Sequence, residues 1–314
     1  MIELHQHVDG SIPTTFMWER LKKHGLEPCK DFAIFEEMIH ATENETLLDY
    51  LNRFHIPMWV TQFYGNIKDA VGLIAQEAYD CGVRTLELRW SPIIHTFADL
   101  SVRQTTRAIL DGMNNFRKIH PDMKLGLIII SMKHHGPHIA KILARAAASE
   151  AQHLHTGCGV VGFDLAGAER LFPPRLFKEA FDLARAGLLH LTCHAGEDGP
   201  ATNIWEAIDV LGVERIGHGC AAIHDKELMK RIARDQVLVE CCVSSNYHTG
   251  AVARGVDHPI RTFLEHLMPV SICTDNSVIS NTDIKKECIL VDTMCGSVSE
   301  HIMNRAQKYT FIGR

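Results

Sequence analysis

The chain has ten cysteines but no C-x-x-C pair, which removes the usual signature of zinc ribbons and of thioredoxin-like redox sites. The patterns H-E-x-x-H, G-x-x-x-x-G-K and G-x-S-x-G are missing as well. With them go the marks of a helical zinc protease, a phosphate-binding loop and a nucleophile elbow. No apolar run, the longest lying around Leu125–Ile130, approaches the ~20 residues that span a bilayer. The opening MIELHQHVDG has neither the basic nor the apolar segment of a secretory leader, so a cytoplasmic protein without a membrane partner is expected. Positive charge is in deficit, with 32 Lys and Arg against 38 Asp and Glu, which argues against a nucleic-acid partner. One glycosylation-type triplet, Asn44-Glu45-Thr46, is what chance provides.

What remains is ordinary globular composition over 314 residues, 46% hydrophobic and 22% charged. That is enough chain to bury a large core without disulfides. Six of the cysteines (Cys158, Cys193, Cys220, Cys241, Cys242 and Cys273) fall within apolar runs, where a free thiol behaves as a small hydrophobe.

Short apolar runs rich in β-formers recur along the chain: Ile2–His7, Arg84–Ser91, Leu125–Ser131, Gly159–Leu165, Leu189–Ala195, Val213–His218, Val237–Val243 and Val270–Thr274. Amphipathic stretches such as Ile67–Cys81, Gln104–His120, Ile139–Glu150, Pro174–Ala186 and Asp225–Arg234 separate them. Near-continuous apolar strands alternating with helices predict parallel strands covered on both faces. Eight of them predict an α/β fold of the (β/α)8 TIM-type barrel, read here as a single domain over 1–314. Between His7 and Arg84 lie about 75 residues where about 30 would complete a βαβ unit. Helical patterns over Thr14–His24, Asp31–His40 and Thr46–Phe54 make this a helical lid insertion after strand 1, at about 10–80.

Catalytic groups of such a barrel stand at the C-terminal ends of its strands. Those ends read His5-Gln6-His7, His194-Ala195-Gly196-Glu197, His218-Gly219 and Asp275-Asn276. His5 and His7 are two apart on a strand and so face the same way. Imidazole and carboxylate donors together suit Zn²⁺, and Fe²⁺ or Co²⁺ suit the same donors. Strand 4 ends in Asp164-Leu165-Ala166-Gly167, without the lysine that bridges two metals, so one ion per chain is expected. His134, His135, His153, His155 and His248 are read as loop or rim residues, and Trp90 as packing.

The set E-L-H-Q-H-V-D-G-S, D-L-A-G-A-E, H-A-G-E, R-I-G-H-G and C-T-D-N, spread from residue 3 to residue 276, resembles the adenosine deaminase family of the amidohydrolase superfamily. The resemblance implies a zinc-dependent hydrolytic deaminase acting on a small 6-aminopurine nucleoside, adenosine or 2′-deoxyadenosine by default. It implies His5, His7, His194 and Asp275 as ligands of one zinc. Glu197 becomes the proton carrier to purine N1, which requires a raised pKa. His218 orients the attacking water and helps to deprotonate it. Gly167 meets N3, Asn276 meets N7 and Asp9 holds the 5′-hydroxyl.

Three positions depart from the family pattern. Asn276 and Ala168 stand where Asp is usual, and Cys242-Val243 replaces a Pro-containing turn. Asn276 can donate to N7 without being protonated, and it opens an alternative substrate, a 5′-modified adenine nucleoside such as 6-amino-6-deoxyfutalosine. A basic lid residue near the 5′ end would mark that alternative. A barrel that binds nucleosides without turnover is the remote alternative. Oligomeric state is not legible in the sequence.

Overall fold

The structure, a computed structural model, describes residues 1–42 and 45–314, so Asn44 of the glycosylation-type triplet lies outside the described residues. Eight strands pair in parallel and in chain order: β1 (Ile2–His7), β2 (Thr85–Trp90), β3 (Lys124–Met132), β4 (Val160–Ala166), β5 (His190–Ala195), β6 (Arg215–His218), β7 (Leu238–Cys241) and β8 (Val270–Ile272). The ring closes just past β8, where Gln6 bridges Asp275. His7 N–H donates to the Asp275 carbonyl at 2.7 Å, and Asp275 N–H to the His5 carbonyl at 2.8 Å. Glu3 staples the same seam, its carboxylate accepting from His5 N–H and from Thr274 N–H and Oγ1. The (β/α)8 expectation is met.

The strands are apolar toward their helices and charged toward the barrel axis. In β2, Leu86, Leu88 and Trp90 join the hydrophobic core, while Glu87 and Arg89 alternate with them. Arg89 pairs with Asp164 at 2.6 Å and with Glu240, and Arg215 pairs with Glu240 and Glu87 at 2.7 Å each. All five side chains are fully buried, and pairing is the condition on which charges survive there.

Between β1 and β2 run the helices Thr14–His24, Phe32–Ile39, Leu47–Asn52, His55–Val60 and Tyr64–Asp80. The fourth was not anticipated from the sequence, where Pro57 obscures it; as the third residue of the helix, its missing N–H costs no intrahelical bond. Asp31 caps the second helix by accepting from Ala33 N–H at 2.8 Å, and Thr46 and Asp49 form a capping box on the third.

One correction concerns a strand boundary. The seventh strand stops at Cys241 rather than Val243, because a helical turn, Val243–His248, begins there, with Asn246 N–H bonded to the Cys242 carbonyl. The run Gly157-Cys158-Gly159-Val160-Val161-Gly162 spells G-x-G-x-x-G. It leads into β4, however, whereas a dinucleotide-binding turn leaves a strand for a helix. No helix among the described residues is long and apolar enough to cross a membrane.

Candidate active site

The strand-end histidines converge. His5 Nε2 lies 3.2 Å from His7 Nε2 and 3.1 Å from His194 Nε2, and the last two are 3.3 Å apart. Asp275 Oδ1 lies 3.3 Å from His7 Nε2 and 3.7 Å from His5 Nε2. Tetrahedral donors at ~2.0–2.1 Å from Zn²⁺ stand about 3.3–3.4 Å from one another, so these spacings fit one ion. Burial, with positive neighbours, holds His5 and His7 well below the usual histidine range, which leaves them neutral with lone pairs to give.

The tautomers agree with that use. His5 Nδ1 faces Glu240 Oε2 at 2.8 Å, and His194 Nδ1 faces Asp164 Oδ2 at 3.0 Å. Each Nδ1–H therefore goes to a carboxylate, and each Nε2 presents its lone pair to the cluster. Burial pushes Asp164 up, but His194 and Arg89 outweigh it and hold its carboxyl well below the usual range. The buried ion-pair layer of the barrel thus aims two of the histidines.

Asp275 (φ 61°) and His218 (φ 64°) both adopt the left-handed backbone conformation. Outside glycine this costs on the order of 1–3 kcal/mol and collects at functional sites. Asp275 Oδ2 accepts from Ser245 Oγ at 2.5 Å, a contact made by the turn that interrupts the seventh strand.

Glu197 stands beside the cluster, its Oε2 3.6 Å from His218 Nε2. Burial, with the Asp275 carboxylate adding to it, pushes Glu197 up to about 7. Its loop is pinned by Glu169, which the sequence reading passed over. The Glu169 carboxylate accepts from the backbone N–H groups of Gly196, Glu197, Asp198 and Gly199, at 2.5 to 3.2 Å. Its place in D-L-A-G-A-E was visible, but the partners belong to the next strand's loop.

A cavity of about 320 Å³ opens over these groups. Asp9, Gly167 and Asn276 all line it, together with Tyr50, Leu51, Phe54, His55 and Met58 from the segment between β1 and β2. Burial pushes Asp9 up to about 7, and its Oδ2 lies 4.0 Å from His95 Nε2. Gly167 has φ 88°, a conformation that favours glycine, and an added Cβ would meet Met132 at 3.1 Å. Asn276 Oδ1 is buried without a hydrogen-bond partner among the described residues. Five carboxylates line the cavity (Asp9, Glu169, Glu197, Asp198 and Asp275), and among the described residues no Lys or Arg does.

Of the histidines read as rim residues, His134 lines this cavity, a placement the sequence did not signal. Trp90 is core as expected, stacked on His95 with ring centroids 3.6 Å apart.

A parallel barrel whose rim gathers imidazoles, a carboxylate and a raised-pKa glutamate is built for hydrolysis. The family profile described as "Adenosine deaminase" matches residues 1–310. An adenosine deaminase of Clostridium kluyveri is 34% identical over 287 residues, which cover 91% of this chain and 81% of the relative. A probable adenosine deaminase of Dictyostelium discoideum is 34% identical over 312 residues, and there the chain spans only 39% of the relative's length. Arabidopsis ADAL complexed with IMP superposes with a TM-score of 0.86 at 23% identity, covering 99% of this chain and 92% of that one. The chain belongs to the adenosine deaminase family. It is a hydrolytic deaminase of amidohydrolase fold.

Proposed function

We propose that this enzyme converts adenosine or 2′-deoxyadenosine to the inosine nucleoside and ammonia. In this reading His5, His7, His194 and Asp275 hold one Zn²⁺. The observation that carries it is the meeting of those four donors beside a half-buried glutamate pushed up to about 7. A zinc ion, when bound, supplies a water whose pKa falls toward ~7.

The chain's own residues do the rest. Gly167 meets N3 through its backbone, and the Asn276 amide donates to N7. Asp9 holds the 5′-hydroxyl. Glu197 in its acid form gives a proton to N1 as the water oxygen bonds C6, and its carboxylate then takes the proton the water releases. Passed on to the amine, that proton lets ammonia leave, and the hydroxyl proton left on C6 returns to the Glu197 carboxylate as the carbonyl forms.

The charge of the cavity favours a neutral nucleoside. Five carboxylates and, among the described residues, no lining Lys or Arg leave a 5′-phosphate or the aryl carboxylate of 6-amino-6-deoxyfutalosine without a cationic partner there. Ten free cysteines suit a reducing, cytoplasmic setting.

The test compares kcat/KM for adenosine, AMP and 6-amino-6-deoxyfutalosine. Adenosine is expected to lead by about 10²-fold or more, the cost of an unpaired charge in a polar site. Preference for either anion would overturn the substrate assignment, and purine binding without turnover would overturn the catalytic one.

A further inference from the structure

The contacts behind His218 decide which of its two ring nitrogens carries the proton. Ile260 N–H points at Nδ1 of His258 from 3.1 Å. A backbone N–H can only donate, so that Nδ1 holds a lone pair and the proton of neutral His258 sits on Nε2. His258 Nε2 lies 3.0 Å from Asn246 Oδ1, which accepts it. The other end of that amide, Nδ2, lies 2.9 Å from His218 Nδ1 and donates to it. The proton of His218 is therefore on Nε2, the nitrogen that faces Glu197 across 3.6 Å.

Turning the Asn246 amide over does not restore the other tautomer. Its N–H groups would then face the Nε2–H of His258, donor against donor, because Ile260 still occupies Nδ1. The three side chains are buried, with exposures of 1%, 0% and 1% for His218, Asn246 and His258, so bulk water does not compete for these bonds. Burial also holds His258 down to about 3, so that ring is neutral, and His218 accepts at Nδ1 as only a neutral ring can.

We propose that Asn246 and His258 are positioning residues that lock His218 in its Nε2–H tautomer, so that His218 meets the attacking water as a hydrogen-bond donor. This rests on the deaminase reading above and alters one part of it. The resemblance gives His218 a share in deprotonating the water, whereas here Nδ1 is taken by Asn246 and Nε2 already carries the ring's proton. The proton balance closes without it: Glu197 protonates N1 as the C6–N1 π pair moves to nitrogen, the water oxygen bonds C6, and the water's proton returns to the Glu197 carboxylate. His218 begins and ends the addition with the same proton.

The test is spectroscopic and needs no substrate. In the full chain labelled with ¹⁵N-histidine, long-range ¹H–¹⁵N spectra separate protonated from lone-pair ring nitrogens, and His218→Gln identifies the signals of that ring. A protonated Nε2 with a lone pair on Nδ1 is expected at His218. A protonated Nδ1 there overturns the proposal.

Asn246→Asp offers only acceptors, so the His218 proton should move to Nδ1. The kcat should then fall by between about 10² and 10⁴, with KM and metal content nearly unchanged. Wild-type kcat in this variant would also overturn the proposal. Should it fail to fold, His258→Phe frees the amide to turn, and His218 should then show both tautomers; a single unchanged Nε2–H pattern would remove His258 from the device. A protein that shows the Nε2–H signature yet turns over no adenosine would contradict the substrate reading alone.

Discussion

His7 Nε2 lies 3.3 Å from Asp275 Oδ1, across the seam where the first and last strands of the barrel join. The backbones of the same two residues are hydrogen-bonded at that seam, His7 N–H to the Asp275 carbonyl at 2.7 Å. Closing the barrel and assembling the donor cluster are therefore one structural event, and a change that loosens the seam loosens the site.

Glu197→Gln keeps the volume and removes the acid. It should retain metal and lose kcat by about 10²–10⁴-fold, the usual worth of a positioned proton donor. Because the wild-type residue must be protonated to serve N1 and is pushed up to about 7, activity should hold below that pH and decline above it. A profile of kcat/KM against pH checks the direction, and an activity that rises through this range would contradict the donor role.

Glu169→Ala should act through the Glu197 loop. It strips the acceptor from four backbone N–H groups, at an expected cost of about 2 kcal/mol or more in urea unfolding. The kcat should fall while metal content is kept. Stability and kcat both within error of wild type would mean that the loop is held by other contacts.

Gly10→Ala tests the placement of Asn276. A Cβ at Gly10 would stand 1.9 Å from Asn276 Oδ1, so the amide must swing away. With the N7 contact gone, KM for adenosine should rise by roughly 10-fold, the order expected for one lost hydrogen bond. An unchanged KM would remove Asn276 from the purine subsite.

Much of this was readable because a parallel barrel writes its chemistry at fixed places. Buried strands are contiguous apolar runs, and polar residues at their C-terminal ends stand out: His5, His7, His194, His218 and Asp275 were each found in that way. The shapes that depend on distant partners were not readable. Arg89 and Glu240 interrupt apolar strands, and only the closed barrel shows that they pair with each other. Asn246 and His258 belong to a turn and loop after the seventh strand, a stretch whose apolar start, Cys242-Val243, extended the strand reading two residues too far. The helices Ile284–Cys295 and Ser299–Ala306 also escaped the sequence reading. Capping of the first by Asp283, which accepts from Lys285 and Lys286 N–H, marks its start only once the loop is in place.

In the proposed reaction one metal ion held by His5, His7, His194 and Asp275 activates water against an adenine nucleoside. The most direct measurement follows the ultraviolet absorbance of adenosine with the purified protein as isolated, after chelation, and after Zn²⁺ is returned. Conversion to inosine should be lost on chelation and restored by about one Zn²⁺ per chain. Undiminished conversion by protein shown to be free of metal would contradict it.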